Sequence, residues 1–262
     1  MVGKLLKYNL ISEGKLCGSY CLLTLACAAA YRLFGLGSNA FFSIMQKGLL
    51  IVLVVLVIGS ILVPVVEGWV HYNRHVYKDE GYLTNTLPVS KGAIYWSEWL
   101  SGALCLFVCL ACAVFSLWLV VYFEDPQWMQ ATLSGLAGQL HITHPAGIAV
   151  LIGITYYTQV LFVMTCGFAG MTIGHYFDKD KTAKSVLFSL LMYIAGILII
   201  LGMVFLIGRF DPELMEILNS DVIPDVSVFR LFMGFVCGSY IVCAILLDLI
   251  SIKVMNKGME LE

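Results

Sequence analysis

Charge is what this chain has least of. Only 12% of its 262 residues are Asp, Glu, Lys or Arg, against ~25% in an ordinary soluble domain, while 60% are hydrophobic. That composition leaves too little polar surface for a water-soluble globule. The net charge of -2, from 15 Lys+Arg and 17 Asp+Glu, excludes a basic nucleic-acid binder and an acidic disordered tail alike. A P-loop is missing as well. Gly14-Lys15 is followed by Leu16 and has Asn9 where the first glycine belongs, and Lys181-Thr182 is preceded by Asp180, so the chain does not itself hydrolyse ATP by that mechanism. Cysteines are present but not as staples. All nine (Cys17, Cys21, Cys27, Cys105, Cys109, Cys112, Cys166, Cys237, Cys243) fall in or beside apolar runs, where a thiol packs as a small hydrophobe. Cys105, Cys109 and Cys112 share one helical face, yet no His or carboxylate lies among them, so packing is expected of them rather than metal binding.

What is abundant is uninterrupted apolar sequence. Six runs reach the ~20 residues that a bilayer core of about 30 Å demands: residues 16–34, 49–69, 99–123, 147–173, 185–208 and 231–252. The uncharged stretch before the fourth run carries Pro126, Gln127, Gln130, His141, His144 and Pro145, and is expected to lie at the outer face. With the N-terminus in the cytoplasm, the inner segments collect Lys4, Lys7, Lys15, Arg74, Lys78, Lys91, Lys179, Lys181, Lys184, Lys253 and Lys257. Only Arg32, Lys47, Arg209 and Arg230 remain outside, beside an acidic surplus that includes Glu124, Asp125, Asp211, Glu213 and Asp225. The positive-inside rule therefore places both termini inside a cell membrane crossed six times. Ala26-Cys27-Ala28 imitates a signal-peptide cleavage site, but cleavage there would leave five crossings and put the lysines at 179–184 outside. Residues 1–15, with Val2, Leu5, Leu6 and Leu10 on one face, are expected to form an amphipathic helix along the inner leaflet. The fold class is thus all-α and polytopic, a single transmembrane domain over residues 1–262.

With spans this uniform, function is expected in the irregular segments. The longest inner one covers residues 71–98. Gly81 breaks the helix that continues from span two, and Pro88 forces Leu87 to be extended. Between them lie about two helical turns with Tyr82, Leu83, Thr86 and Leu87 on one face. Such a helix either lies back on its own bundle or docks on a partner. The outer segment after span five opens Asp211-Pro212-Glu213, an N-cap, an N1 proline and a first-turn acid, and continues through Leu214, Ile217 and Leu218, which predicts a short surface helix.

The stretch Lys78-Asp79-Glu80-Gly81-Tyr82-Leu83-Thr84-Asn85-Thr86-Leu87-Pro88-Val89-Ser90-Lys91 resembles the permease subunits of bacterial ABC exporters, of the two-type class common in Gram-positive bacteria. The core of the likeness is Gly-Tyr-Leu followed by Thr-Leu-Pro-Val-Ser, and the six-span layout extends it loosely over the chain. The resemblance implies that residues 78–91 are a coupling helix docking on a separate ATPase. Tyr82, Leu83, Thr86 and Leu87 would be its face, with Lys78, Asp79 and Glu80 as charged contacts at the rim. It further implies that ATP and Mg are bound by that partner, that this chain holds no cofactor and no catalytic residue, and that a second permease, identical or related, completes the transporter. In that family, outer segments between spans five and six re-enter the membrane and gate the exit; here that segment is short. The rival class is an ATP-independent membrane protein, a secondary carrier or a membrane enzyme. A carrier is expected to show a repeat with polar residues at the midplane, and the sequence displays neither a repeat nor a mid-membrane acid. Peptide, lipid and drug all remain open as substrates.

Polar groups inside the spans complete the reading. Glu67 and Asp248 sit near the inner headgroups by depth and are expected to pair with inner-face Arg or Lys. Glu67, His71 and His75 are four apart and share a face. These are zinc-site donor types, but no His-Glu-x-x-His exists and Arg74 and Lys78 crowd the boundary, so no metal is expected. None is expected at His141 and His144 either. In span four, Gly167, Gly170 and Gly174 form a small-residue stripe suited to close helix packing. Thr155 and Gln159 stand near mid-span; the Gln159 amide needs a partner, so it either bonds a neighbouring helix or lines a translocation path.

Overall fold

A computed structural model describes residues 2–78, 80–86, 88–124, 135, 145–177, 179–210 and 226–257. Seven helices are described: α1 (Val2–Gly35), α2 (Ala40–Val76), α3 (Gly81–Thr86), α4 (Lys91–Glu124), α5 (Pro145–Gly174), α6 (Lys181–Phe210) and α7 (Val226–Asn256). No strand occurs among the described residues. Six of the helices are long and apolar enough to cross a membrane, as in a multi-pass membrane protein. Each apolar run falls inside one of them, because a backbone in lipid must satisfy its hydrogen bonds within the segment. The helices also overrun the runs. At 1.5 Å per residue the 37 residues of α2 extend about 55 Å, well beyond a ~30 Å hydrocarbon core.

The largest overrun is a correction. Residues 1–15 are not a separate interfacial helix; from Val2 they continue into the first span as α1. No proline interrupts them, and Asn9 and Glu13, at 3% and 1% exposure, are buried rather than turned to an aqueous face.

By internal contacts the chain, read from sequence as one domain, divides into two compact units, one built on α1–α4 and the other on α5–α7. In the first unit α1, α2 and α4 each pack on the other two. Contacts between α1 and α4 keep one offset: Asn9 meets Ser97, Glu13 meets Ser101, and Cys21 meets Cys109, all 88 residues apart. Cys17 and Cys105 join the same buried cluster. A constant offset at four-residue spacing means that the two helices run parallel with one stripe of each in register. Against α2, by contrast, Glu13 lies at His71, Tyr20 at Leu56 and Cys27 at Leu49, a falling sequence that marks an antiparallel neighbour. Three successive crossings require this alternation.

Local chemistry explains the fit of α2. Tyr20 donates its hydroxyl to the Leu56 carbonyl at 2.8 Å, and Gly59 leaves room for that ring, since an added Cβ would press on the phenol. Pro64 lies inside the helix and cannot donate to the Ser60 carbonyl. On the opposite face Ile51, Val55, Ile58, Leu62 and Val66 are exposed at three- and four-residue spacing, an apolar ridge of the kind lipid accepts.

In the second unit α5 is the central element. Every residue from Met164 to Thr172 is buried. Its glycines meet α6: a Cβ on Gly170 would stand 2.6 Å from Ser189 Cα, and one on Gly174 would stand 2.6 Å from Ser185 Cα. Ser189 also donates to the Gly167 carbonyl at 3.5 Å. On the α7 side Phe162, Cys166 and Ala169 pack with Cys243, Ala244 and Leu247.

Candidate functional site

The first unit gathers its ionisable side chains at the end that carries Lys4, Lys7, Arg74 and Lys91. The last turns of α2 present His71 and His75 one turn apart, with ring centroids at 4.1 Å. The carboxylate facing them is not Glu67. Glu98, from the second turn of α4, places Oε2 at 2.8 Å from His71 Nδ1 and Oε1 at 3.3 Å from His75 Nδ1. Glu13 of α1 brings Oε1 to 3.3 Å from the same His71 Nδ1, while Ser101 donates its hydroxyl to Glu13 Oε2 at 2.7 Å. Glu80, just ahead of α3, closes the outer side: its Oε2 is 2.6 Å from His75 Nε2, and its Oε1 is 4.0 Å from Arg74 Nε.

Burial sets the energetics of this cluster. Glu98, Glu13 and His71 are 2%, 1% and 1% exposed. A carboxylate so far from water is tolerated only if paired and hydrogen-bonded, and breaking such a pair leaves an uncompensated charge that costs about 3–5 kcal/mol. Glu80 is half exposed, so its ion pairs are screened and weak. The satisfaction is incomplete even so. A carboxylate only accepts, so His71 Nδ1 must carry the proton given to Glu98. That one proton cannot also serve Glu13, and Glu13 Oε1 and His71 Nε2 are both buried without a hydrogen-bond partner among the described residues.

The salt bridges of the described residues thus centre on Glu98, Glu13 and Glu80. Glu67 is half-buried one turn before His71 and takes part in none of them. Asp248 is buried at 2% exposure in α7, in the other unit. Sequence reasoning missed Glu13 and Glu98 as partners because they join only when α1 and α4 pack. A signal existed all the same. Asn9, Glu13, Cys17 and Cys21 fall on one stripe, as do Ser97, Ser101, Cys105 and Cys109, and small polar and sulfur residues at that spacing mark faces turned toward protein.

The loop residues are placed as follows. After Val76 the chain turns tightly, with Tyr77 and Lys78 both donating to the Asn73 carbonyl and Glu80 donating to that of Arg74. Glu80, read from sequence as a rim charge for a partner, is therefore held against α2 by backbone and side chain. Helix α3 starts there, with Thr84 donating to the Glu80 carbonyl at 3.0 Å. Gly81 is buried, while Tyr82 (71% exposed) and Thr86 face outward one turn apart. Leu83 lies within α3; Asp79 and Leu87 lie outside the described residues, as do His141, His144 and the segment 211–225. In the second unit Thr155 is buried and donates to the Leu151 carbonyl at 2.9 Å, whereas Gln159 is exposed.

Compared with protein-family models, with curated proteins and with solved structures, the chain matches none.

Proposed function

We propose that this integral membrane protein is the membrane-spanning permease subunit of an ATP-driven ABC exporter, with both termini and α3 in the cytoplasm. It would work with a separate ATPase and a second permease. The observation that carries the reading is α3 itself: a short helix between the second and third spans, bracketed by Gly81 and Pro88, whose Tyr82 and Thr86 face outward at the lysine-rich end. Its sequence is the one that resembles the coupling segment of such permeases, and the missing P-loop fits a transporter whose motor is another chain.

The cluster gives this arrangement a mechanical sense. A force on α3 enters α2 through the turn that follows Val76 and through Glu80 to His75. From His75 and His71 it reaches α4 at Glu98 and α1 at Glu13. Three spans would then move as one body, because buried charged hydrogen bonds resist separation more than apolar contacts do.

The test is co-purification with a candidate ABC-type ATPase subunit co-expressed with this chain. An exposed tyrosine buried at a docking surface is a typical hot spot, so Tyr82→Ala should weaken association by about 2 kcal/mol, roughly thirty-fold in Kd. Leu83→Asp with Leu87→Asp should abolish it while membrane insertion survives. Wild-type association and ATP-driven transport in the double variant would refute the assignment.

A further inference from the structure

We infer that His71, His75, Glu98 and Glu13 form a binding site for one zinc-class divalent transition-metal ion, which ties α1, α2 and α4 together at the root of α3. The inference does not depend on the transport reading. Among the described residues, His71, His75 and Glu98 bring their donor atoms within 4.8 Å of one another. The separations His71 Nδ1 to Glu98 Oε2 (2.8 Å), His75 Nδ1 to Glu98 Oε1 (3.3 Å) and His71 Nδ1 to Glu13 Oε1 (3.3 Å) lie at or just under the edge of a coordination tetrahedron. Bonds of 2.0–2.1 Å, as zinc makes to imidazole and carboxylate, give an edge of about 3.3 Å. Two histidines one helical turn apart are the usual way for one helix to offer two ligands to one ion.

The unsatisfied atoms point the same way. With protons alone, Glu13 Oε1 faces a nitrogen whose hydrogen is already committed to Glu98, and it stays without a hydrogen bond at 1% exposure. A cation in that position binds the nitrogen and both carboxylates at once. The charge balances too, since two buried carboxylates neutralise one divalent ion and no lysine or arginine among the described residues bridges to either. Two imidazoles and two carboxylates without a thiolate suit zinc better than copper(I), and imidazole disfavours magnesium and calcium. From sequence, with Glu67 as the acid beside the two histidines, a metal is not expected because no His-Glu-x-x-His exists and Arg74 and Lys78 crowd the boundary. In the folded unit Glu98 takes the place of Glu67, and Arg74 points to Glu80.

The experiment uses the full chain, purified in detergent without a histidine tag, stripped with EDTA and desalted. It is titrated with Zn2+, and bound metal is counted by mass spectrometry after gel filtration. One equivalent per chain is expected, and Co2+ in its place should give visible bands without the sulfur-to-cobalt charge transfer that thiolates produce. Glu98→Gln and His75→Gln should each weaken Zn2+ by more than the ~10–100-fold that loss of an outer-shell group costs. His75 is partly exposed, so that variant serves if Glu98→Gln fails to fold. Cys21→Ser with Cys109→Ser should bind as wild type does. Absence of retained zinc, wild-type affinity in folded His75→Gln, or loss of binding in the cysteine variant would each overturn the assignment.

Discussion

A single methyl group at Gly170 should drive α5 and α6 apart. A Cβ built there would lie 2.6 Å from Ser189 Cα, about 1 Å inside the ~3.5–4.0 Å at which carbon atoms are content. The obstructing atoms include backbone, so no rotamer change relieves the clash and the helices themselves must shift. Overpacking of this kind costs about 1–3 kcal/mol. At about 2–4 °C per kcal/mol for a chain of this size, Gly170→Ala should lower the Tm by roughly 2–12 °C. The control is Gly153→Ala on the same helix, where nothing lies within 4 Å and where alanine should be neutral or favourable by up to ~1 kcal/mol. Melting followed with a thiol-reactive dye suits this protein, because all of the cysteines are free and seven are buried. Ser189→Gly should rescue Gly170→Ala only in part, since it removes the side chain and leaves Ser189 N and Cα in place. Equal Tm for Gly170→Ala and Gly153→Ala, or full rescue, would refute the close α5–α6 approach.

Topology and the buried cluster give two further expectations. Reporter fusions after Lys184 and after Glu262 should report a cytoplasmic position and one after Asp221 an external one; an external C-terminus would defeat the charge-based orientation. Ser101→Ala should leave Glu13 Oε2 without its 2.7 Å donor and cost about 1–3 kcal/mol, so an unchanged Tm would mean that Glu13 is satisfied some other way.

The spans were legible because lipid imposes one rule on every segment that crosses it, and a run of some twenty apolar residues admits few other readings. The same rule says nothing of where helices stop in the headgroup region, hence the merging of residues 1–15 into α1. Those residues misled for a definite reason. Val2, Leu5, Leu6 and Leu10 outline an apolar face, but the face that matters is the polar stripe of Asn9 and Glu13, whose inward direction shows only when it is followed through Cys17 and Cys21. The glycine stripe of α5 was visible in sequence, while its partners Ser185 and Ser189 were not, since nothing local singles them out among serines. The histidine pair was visible and its acid was not. Glu67 stands at the right spacing on the same helix, yet Glu98 and Glu13 reach the imidazoles from helices that approach only in the folded unit.

The constant 88-residue offset between α1 and α4 has a consequence for how that interface is locked. In its middle the facing residues are cysteines on both sides, so a slide of four residues, about 6 Å, would set Cys17 against Cys109 in place of Cys105 and change that stretch little. The same slide would move Glu13 from the Ser101 hydroxyl to a thiol, a poor donor for a buried carboxylate. The sulfur stretch therefore behaves as a smooth bearing and the polar end as the key that selects one notch. A single buried asparagine performs the same service in a coiled coil, giving up stability to fix alignment.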